Sequence, residues 1–198
     1  MNKKFIFFSK LSLILVLFVI LAGSLVRMTG SGMGCPDWPK CFGYLIPPTS
    51  IEEITWKPNQ SYGKGVMILH ENKFFNSKQK FTSNKSFELY NWIPYTKHDY
   101  TKFDPLNTWF EFVNRLIGAV AGFSTLIMFF LSTYEFKRNK ILTLLSGLVV
   151  LSMGFQAWLG KLVVDSNLSP YKISIHMIMA IVIVCLIIYI IKKADAKY

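Results

Sequence analysis

Four long apolar runs constrain this chain more strongly than any other feature of its sequence. They cover residues 11–26, 112–134, 141–164 and 173–191. A helix needs about 20 residues to cross a hydrocarbon core of about 30 Å. Lipid offers backbone groups no hydrogen-bond partner, and the runs lack the alternation of barrel strands. The sequence therefore predicts an all-α membrane protein, a bundle of four transmembrane helices in which residues 1–198 form a single domain.

Composition excludes two other classes of protein. With 52% hydrophobic and only 17% charged residues, the chain carries too much apolar surface for an ordinary soluble domain. A net charge of +11 is also typical of proteins that bind nucleic acid, yet the basic residues are divided between helix flanks and one long segment, where carboxylates interleave with them. No compact basic face with stacking aromatic residues is evident. We therefore expect the lipid bilayer as a partner and no nucleic acid.

Basic residues near the ends of the apolar runs indicate the orientation of the chain. The positive-inside bias is read from residues close to helix ends. If the helices alternate, three clusters fall on one side: Lys3, Lys4 and Lys10; Lys137, Arg138 and Lys140; and Lys192, Lys193 and Lys197. We therefore expect both termini to be cytoplasmic and residues 27–111 to form an extracytoplasmic segment.

The first run has an alternative interpretation as a secretory signal, with Ala22, Gly23 and Ser24 as its cleavage site. Its length lies at or above the upper limit for such a signal, and further apolar runs follow. A retained helix is therefore the expectation.

The long segment between the first two runs divides in two. Its first part, to about Pro48, is rich in turn residues and aromatics. Residues 49–103 mix Lys, Asn, Ser and Tyr without a sustained period of a strand or helix. We expect a mostly irregular segment there, with short strands or turns and one small helix.

Cysteine usage agrees with an extracytoplasmic position for this segment. Cys35 and Cys41 lie six residues apart, where an oxidising compartment allows a disulfide to persist. Their spacing does not match the usual zinc or thioredoxin-type pairs. Two interpretations stay open, a structural staple and a redox-active pair that exchanges with a partner thiol. Cys185, within the fourth run, is expected to be a small buried apolar residue.

Polar residues inside membrane spans are costly, so each of them needs a reason. Glu111, Asn114 and Arg115 follow helical spacing and should share one face. They form either an interfacial salt bridge between Glu111 and Arg115 or a carboxylate beside a cofactor, with the arginine binding an anionic group. Gln156 serves either helix packing or a pocket.

His176 is the only histidine in any of the apolar runs. It either hydrogen-bonds between helices or acts as a ligand to a metal or haem, since neutral imidazole is a common ligand of both. With both termini on one side, Glu111 and His176 enter the membrane from the same face. We therefore expect them to line one pocket under the loop of residues 27–41.

Three separated motifs resemble the first half of haem A synthase. They read G-S-L-V-R-M-T-G-S-G-M-G-C-P-D-W-P-K-C at residues 23–41, E-F-V-N-R-L-I-G at 111–118, and G-F-Q-A-W-L-G-K-L-V-V followed by S-I-H-M within 154–177. The resemblance runs through all four helices, whereas members of that family usually have eight helices as two similar bundles. It implies a protein of the cell's inner (plasma) membrane.

That resemblance also implies a reaction, the oxidation of a methyl group of haem O to the formyl group of haem A for cytochrome c oxidase biogenesis. Haem would be the cofactor, with haem O as the substrate and haem b as a further candidate. His176 would be an axial metal ligand, and Glu111 a carboxylate beside the reacting porphyrin. The full set of site residues would be Glu111, Cys35 and Cys41 in catalysis and His176, Arg115, Asn114 and Gln156 in cofactor binding.

One position departs from the family pattern E-x-x-H-R, because Asn114 stands where the family usually has histidine. Three explanations stay open: a single-histidine site with an open or water-filled sixth position, a ligand from elsewhere, or lost activity. Because the resemblance covers only half of a usual family member, three possibilities follow. The chain associates with a second copy of itself, it pairs with a second four-helix chain, or it is a relic. The alternative function is therefore a non-catalytic haem-binding membrane protein or an oxidase assembly factor.

Overall fold

The computed structural model describes residues 3–97, 102–134, 136–137 and 139–195. The chain divides into two compact units. We call Thr29–Phe112 the loop unit, and the described residues of Met1–Met28 and Val113–Tyr198 the helical unit. Arg138 and Lys197, on which part of the predicted orientation depends, lie outside the described residues.

In the described part of the chain, four helices are long and apolar enough to cross a membrane, which confirms the predicted architecture. They are α1 (Lys3–Met28), α3 (Pro105–Thr133), α4 (Lys140–Asp165) and α5 (Pro170–Asp195). Each helix begins before the apolar run that predicted it, and α1, α4 and α5 also end after it, because flanking residues can continue a helix into the membrane interface.

Asp104 sets the start of α3. Its carboxylate accepts hydrogen bonds from the main-chain N–H groups of Leu106, at 2.9 Å, and Asn107, at 3.4 Å. Pro105 follows it in the first helical position, where a missing N–H costs nothing. This cap therefore fixes the start of α3, ahead of the second apolar run.

Buried residues seven positions apart build the core of the helical unit. Seven residues make about two helical turns, so such residues stack on one helix face. One set of buried residues comprises Val16, Ala121, Val149 and Ile183, and the next comprises Met128, Leu142 and Ile190, all in a single apolar cluster. The core is therefore a stack of layers to which the four helices contribute.

Neighbouring helices are joined by side-chain contacts. The hydroxyls of Ser12 on α1 and Ser124 on α3 lie 2.8 Å apart. The Thr143 hydroxyl on α4 donates to the main-chain oxygen of Ser132 on α3 at 2.8 Å. Helix α5 packs against both α1 and α4. Since α3 and α5 share the same two neighbours, they lie at opposite corners of the bundle.

Cys185 on α5 is exposed. The prediction that it is a small buried residue was therefore wrong. The buried face of α5 passes through Ile183 and Ile187. A residue two positions from each of them points about 200° away around a helix, which leaves Cys185 on the outward surface.

The loop unit contains short elements, as expected from its sequence. A short helix, α2 (Ile51–Ile54), and two 3₁₀ turns, Ser31–Met33 and Leu89–Asn91, accompany two small antiparallel sheets. The sheets consist of β1 (Ser61–Tyr62) with β4 (Phe81–Thr82), and of β2 (Met67–His70), β3 (Lys73–Ser77) and β5 (Trp92–Pro94) in the order β2-β3-β5.

Strand β2 separates two apolar clusters of the loop unit. Met67 belongs to a cluster with Cys35, Cys41, Phe42 and Ile54. The next residue, Ile68, belongs to a second cluster with Tyr62, Phe75 and Trp92. Successive side chains of a strand point to opposite faces, so one short strand contributes to both clusters.

Two tyrosines in this unit are partly withdrawn from water. The Tyr62 hydroxyl accepts a hydrogen bond from the main-chain N–H of Lys57 at 2.8 Å. Desolvation by burial raises the pKa of Tyr62 above its usual value, and burial likewise raises the pKa of Tyr44. Both phenols are thus held in their neutral form.

Candidate functional site

The apolar layers of the helical unit are succeeded by polar and small residues. One step of seven residues beyond the set of Val16, Ala121, Val149 and Ile183 leads to one position on each helix. These positions are Gly23 on α1, Asn114 on α3, Gln156 on α4 and His176 on α5. We call these four residues the polar layer. It gathers three residues singled out from the sequence, together with a glycine that was not.

Direct contacts join the polar layer in pairs. The Gln156 side-chain amide donates to the main-chain oxygen of His176 at 3.0 Å, which ties α4 to α5. The Asn114 amide lies 3.8 to 3.9 Å from the position that a Cβ would occupy on Gly23, which brings α3 against α1. Gln156 thus fixes the helix backbone at His176.

Gly160 on α4 makes room for the imidazole of His176. A Cβ at this position would lie 3.3 Å from Nε2 of the ring, closer than ordinary van der Waals contact. By contrast, Gly154 on the same helix faces open space among the described residues. The position of the His176 ring therefore depends on the absence of a side chain at Gly160.

Two acceptor atoms of the polar layer are buried without a hydrogen-bond partner among the described residues. They are Oδ1 of Asn114 and Oε1 of Gln156. A buried polar atom without a partner costs about 1–3 kcal/mol, so such atoms mark places where a ligand can supply a donor.

The donor set of the polar layer fits haem better than a bare metal ion. Among the described residues there is no group of three or more His, Cys, Asp or Glu side chains that could hold an ion. A single imidazole suits a metal whose other ligands come from a macrocycle. The apolar layers next to His176 suit the body of such a macrocycle, and the two acceptor oxygens suit its polar substituents or a bound water.

An arginine that sequence analysis did not assign to the site lies on the helical unit near His176. Nη1 of Arg27 lies 2.8 Å from Sδ of Met177, the residue after the histidine. Arg27 also lines an open recess of about 340 Å³ with Ser24 and Met28. Its signal in the sequence was its place in the motif of residues 23–41, directly after the first apolar run.

In the loop unit, the carboxylate of Glu111 is buried beneath residues 34–35. Its side chain is 4% exposed, and Oε2 accepts a hydrogen bond from the main-chain N–H of Cys35 at 2.9 Å. One turn earlier, the Thr108 hydroxyl donates to the main-chain oxygen of Gly34 at 2.9 Å. A Cβ on Gly34 would collide with the main-chain oxygen of Asn107. This close approach of loop and helix satisfies a carboxylate that burial would otherwise penalise.

Cys35 and Cys41 form the predicted disulfide. Their exposed fractions are 0% and 1%, and they pack against Phe42, Ile54 and Met67. Thiol–disulfide exchange requires access of an attacking thiolate to sulfur. Exchange would therefore require this cluster to open, which favours the structural interpretation of the pair.

The structure thus brings together two subsets of the sequence-predicted site. Glu111, Cys35 and Cys41 lie in the loop unit, while Asn114, Gln156, His176 and the partly buried Arg115 belong to the helical unit. The common pocket of Glu111 and His176 stays a prediction.

Comparison with known proteins identifies the family. The profile of the cytochrome oxidase assembly protein family matches residues 7–76 and 75–197. The chain belongs to this family. That result confirms the resemblance noted in the sequence, since curated relatives of the chain carry the name haem A synthase.

The chain is similar to only part of these relatives. The haem A synthase of Shewanella oneidensis is 27% identical over 169 residues, which make up 85% of the chain and 39% of that protein. Those of Ehrlichia canis and Bacillus licheniformis are 26% and 32% identical, and the chain covers 43% and 46% of their lengths, with 85% and 73% of the chain aligned. The chain therefore spans less than half the length of these curated relatives. No solved structure matches it significantly.

Proposed function

We propose that the chain is a haem A synthase-like oxidoreductase that converts the haem O methyl group to the haem A formyl group for cytochrome c oxidase biogenesis. One observation carries this proposal: the polar layer presents a single imidazole beside an apolar core, and two acceptor oxygens that have no hydrogen-bond partner within the described part of the chain. Family membership and the names of the relatives support it.

In this proposal His176 holds the haem iron, and the haem supplies the redox chemistry when bound. Gln156 fixes the backbone of α5 through its hydrogen bond to the main-chain oxygen of His176. Gly160 keeps the space beside the ring free. Arg115 and Arg27 offer positive charge to the carboxylate groups of the porphyrin, because guanidinium groups bind carboxylates with paired hydrogen bonds.

Glu111 is the proposed proton-handling group. Two successive hydroxylations give the hydrated aldehyde, which then loses water, so that overall the methyl group and one water yield the formyl group, four protons and four electrons. An external electron acceptor takes the electrons, and the protons must leave the reacting carbon and its oxygen. A positioned carboxylate can accept such protons or stabilise positive charge that develops nearby. The main-chain N–H of Cys35 donates a hydrogen bond to Oε2 of Glu111 and thereby orients the carboxylate. The disulfide then acts by positioning this N–H.

The remaining features of the proposal concern placement and partners. Both termini lie in the cytoplasm, the loop unit lies on the opposite side of the inner membrane, and the helical unit associates with a second copy or with another four-helix chain. Cysteine-labelling of the ends of the chain in intact and permeabilised cells tests the orientation, and labelling of either end in intact cells would contradict it.

Pigment analysis tests the reaction. The full chain is expressed in cells that supply haem O, the membrane fraction is extracted, and haems are separated by chromatography. We expect haem A or its hydroxylated precursor with the natural sequence, and bound haem O without product in Glu111→Gln. Bound haem without either product in the natural sequence would instead support a non-catalytic haem-binding protein or assembly factor, an alternative that the asparagine at position 114 favours.

A further inference from the structure

The polar layer contains one imidazole and, across the core from it, one carboxamide. His176 is the only histidine of the helical unit, because the other two, His70 and His98, fall within residues 29–112 of the sequence. Helices α3 and α5 share α1 and α4 as neighbours and lie at opposite corners of the bundle. Asn114 and His176 therefore belong to the two helices of the layer that occupy opposite corners.

The chemistry of these two side chains differs in one decisive way. Imidazole nitrogen binds haem iron readily, whereas a carboxamide is not among the usual axial ligands. The buried Oδ1 of Asn114 is, however, a hydrogen-bond acceptor without a partner among the described residues. It is suited to accept a hydrogen bond from a small molecule such as water.

We propose that the polar layer binds haem through one protein ligand, His176, and that the side facing Asn114 is a site for an exchangeable small ligand, a water molecule that donates to Asn114 Oδ1. This inference rests on the proposed function, because it assumes that haem occupies the layer. The inference further predicts that external ligands such as carbon monoxide or free imidazole enter from the side of α3.

Optical and electron paramagnetic resonance spectra of the purified, haem-loaded full chain test the inference independently of turnover. We expect a high-spin ferric spectrum, carbon monoxide binding to the reduced form, and conversion to a low-spin spectrum when free imidazole is added. The imidazole titration needs no variant, so the test does not depend on the folding of a mutant.

A matched pair of variants places the open side. Asn114→His should give a low-spin spectrum without added imidazole and lose carbon monoxide binding, because a second ring then reaches the iron. The control, Val120→His, introduces the same residue on the same helix at a position that is 50% exposed, and should leave the spectrum unchanged. An unchanged spectrum in Asn114→His, in a variant that binds haem in normal amount, would contradict the assignment of this side.

Other outcomes separate this inference from the function beneath it. A low-spin spectrum of the natural chain that ignores imidazole and carbon monoxide would overturn the open site, even with haem A produced. A low-spin spectrum that becomes high-spin on dilution would also overturn it, since a second copy would then supply the ligand. Failure of the natural chain to bind any haem would overturn both proposals.

Discussion

The helical unit and the loop unit bury their cores by different means. In the helical unit, buried apolar residues repeat every seven positions on α3, α4 and α5 and join residues of α1 in one cluster. In the loop unit, a disulfide, short strands and clustered aromatic rings enclose two small cores. The first core is specified by a repeated pattern and the second by individual residues. Exchange of one apolar residue should therefore matter less in the helical unit than in the loop unit. Exchange of a residue of the polar layer should matter more, because the pattern there changes from apolar to polar.

The largest difference between the two units is expected when the imidazole of His176 is removed from the helical unit. His176→Ala should abolish the haem absorption of the purified chain, since no second histidine in the helical unit can replace it. The loop unit should keep its fold. The measurement is haem absorbance per mole of protein. Ile178→Ala is the control, because this residue of α5 is 62% exposed. Equal haem content in both variants would remove His176 as a ligand.

Removal of the disulfide probes the loop unit. The double variant Cys35→Ala with Cys41→Ala should lower the free energy of unfolding of this unit by about 2–4 kcal/mol, while haem bound in the helical unit stays unchanged. Hydrogen exchange of the full chain in detergent measures both regions. Product formation is the second readout. Some should remain if the pair is a staple, whereas complete loss with an intact loop unit would show a redox role.

A subtler change in the helical unit concerns the space beside the ring. Gly160→Ala should displace the imidazole of His176 and weaken haem binding about tenfold, which corresponds to about 1.4 kcal/mol and lies within the usual cost of overpacking. Gly154→Ala makes the same substitution on the same helix, but its Cβ meets none of the described residues within 4 Å. Competition with a haem-binding apoprotein gives the two affinities. Equal affinities would show that the ring does not need this gap.

The smallest expected effect concerns tyrosine ionisation in the loop unit. Because burial raises the pKa of Tyr62, its neutral form stabilises the folded state fully below the usual value of 10.0, and this stabilisation is lost as pH rises through the raised pKa. Tyr62→Phe should cost about 1 kcal/mol at neutral pH, through the lost hydrogen bond to Lys57. It should also reduce the loss of stability above pH 10. Hydrogen exchange against pH provides the check, and an identical alkaline profile in both proteins would contradict it.

The sequence predicted the four helices because hydropathy over some twenty residues is a strong signal. It failed for Cys185, since residues around a membrane helix are apolar on both the lipid-facing and the core-facing side. Two residues of the polar layer, Gln156 and His176, lie seven positions from the apolar residues Val149 and Ile183. This spacing could have been used to recognise the layer from the sequence. Their proposed roles, like the single domain and the membrane orientation, stay predictions.

Strand positions in the loop unit could not be read from the sequence. Its strands have two to five residues, too few to establish an alternating period. The hydrogen bond between the Cys35 N–H and Glu111 joins residues 76 positions apart. Such a contact depends on the tertiary fold, because no local pattern around Cys35 or Glu111 encodes it.

The burial of Cys35 and Cys41 has a consequence for how the protein matures. An oxidant, or an enzyme that carries one, must touch sulfur to make the cross-link, and neither atom can be reached once Phe42, Ile54 and Met67 have closed over them. Oxidation must therefore precede the final packing of this region. A polypeptide that folded while still reduced would bury both thiols before an oxidant could reach them. The order of oxidation and folding therefore determines how much of the protein acquires its disulfide.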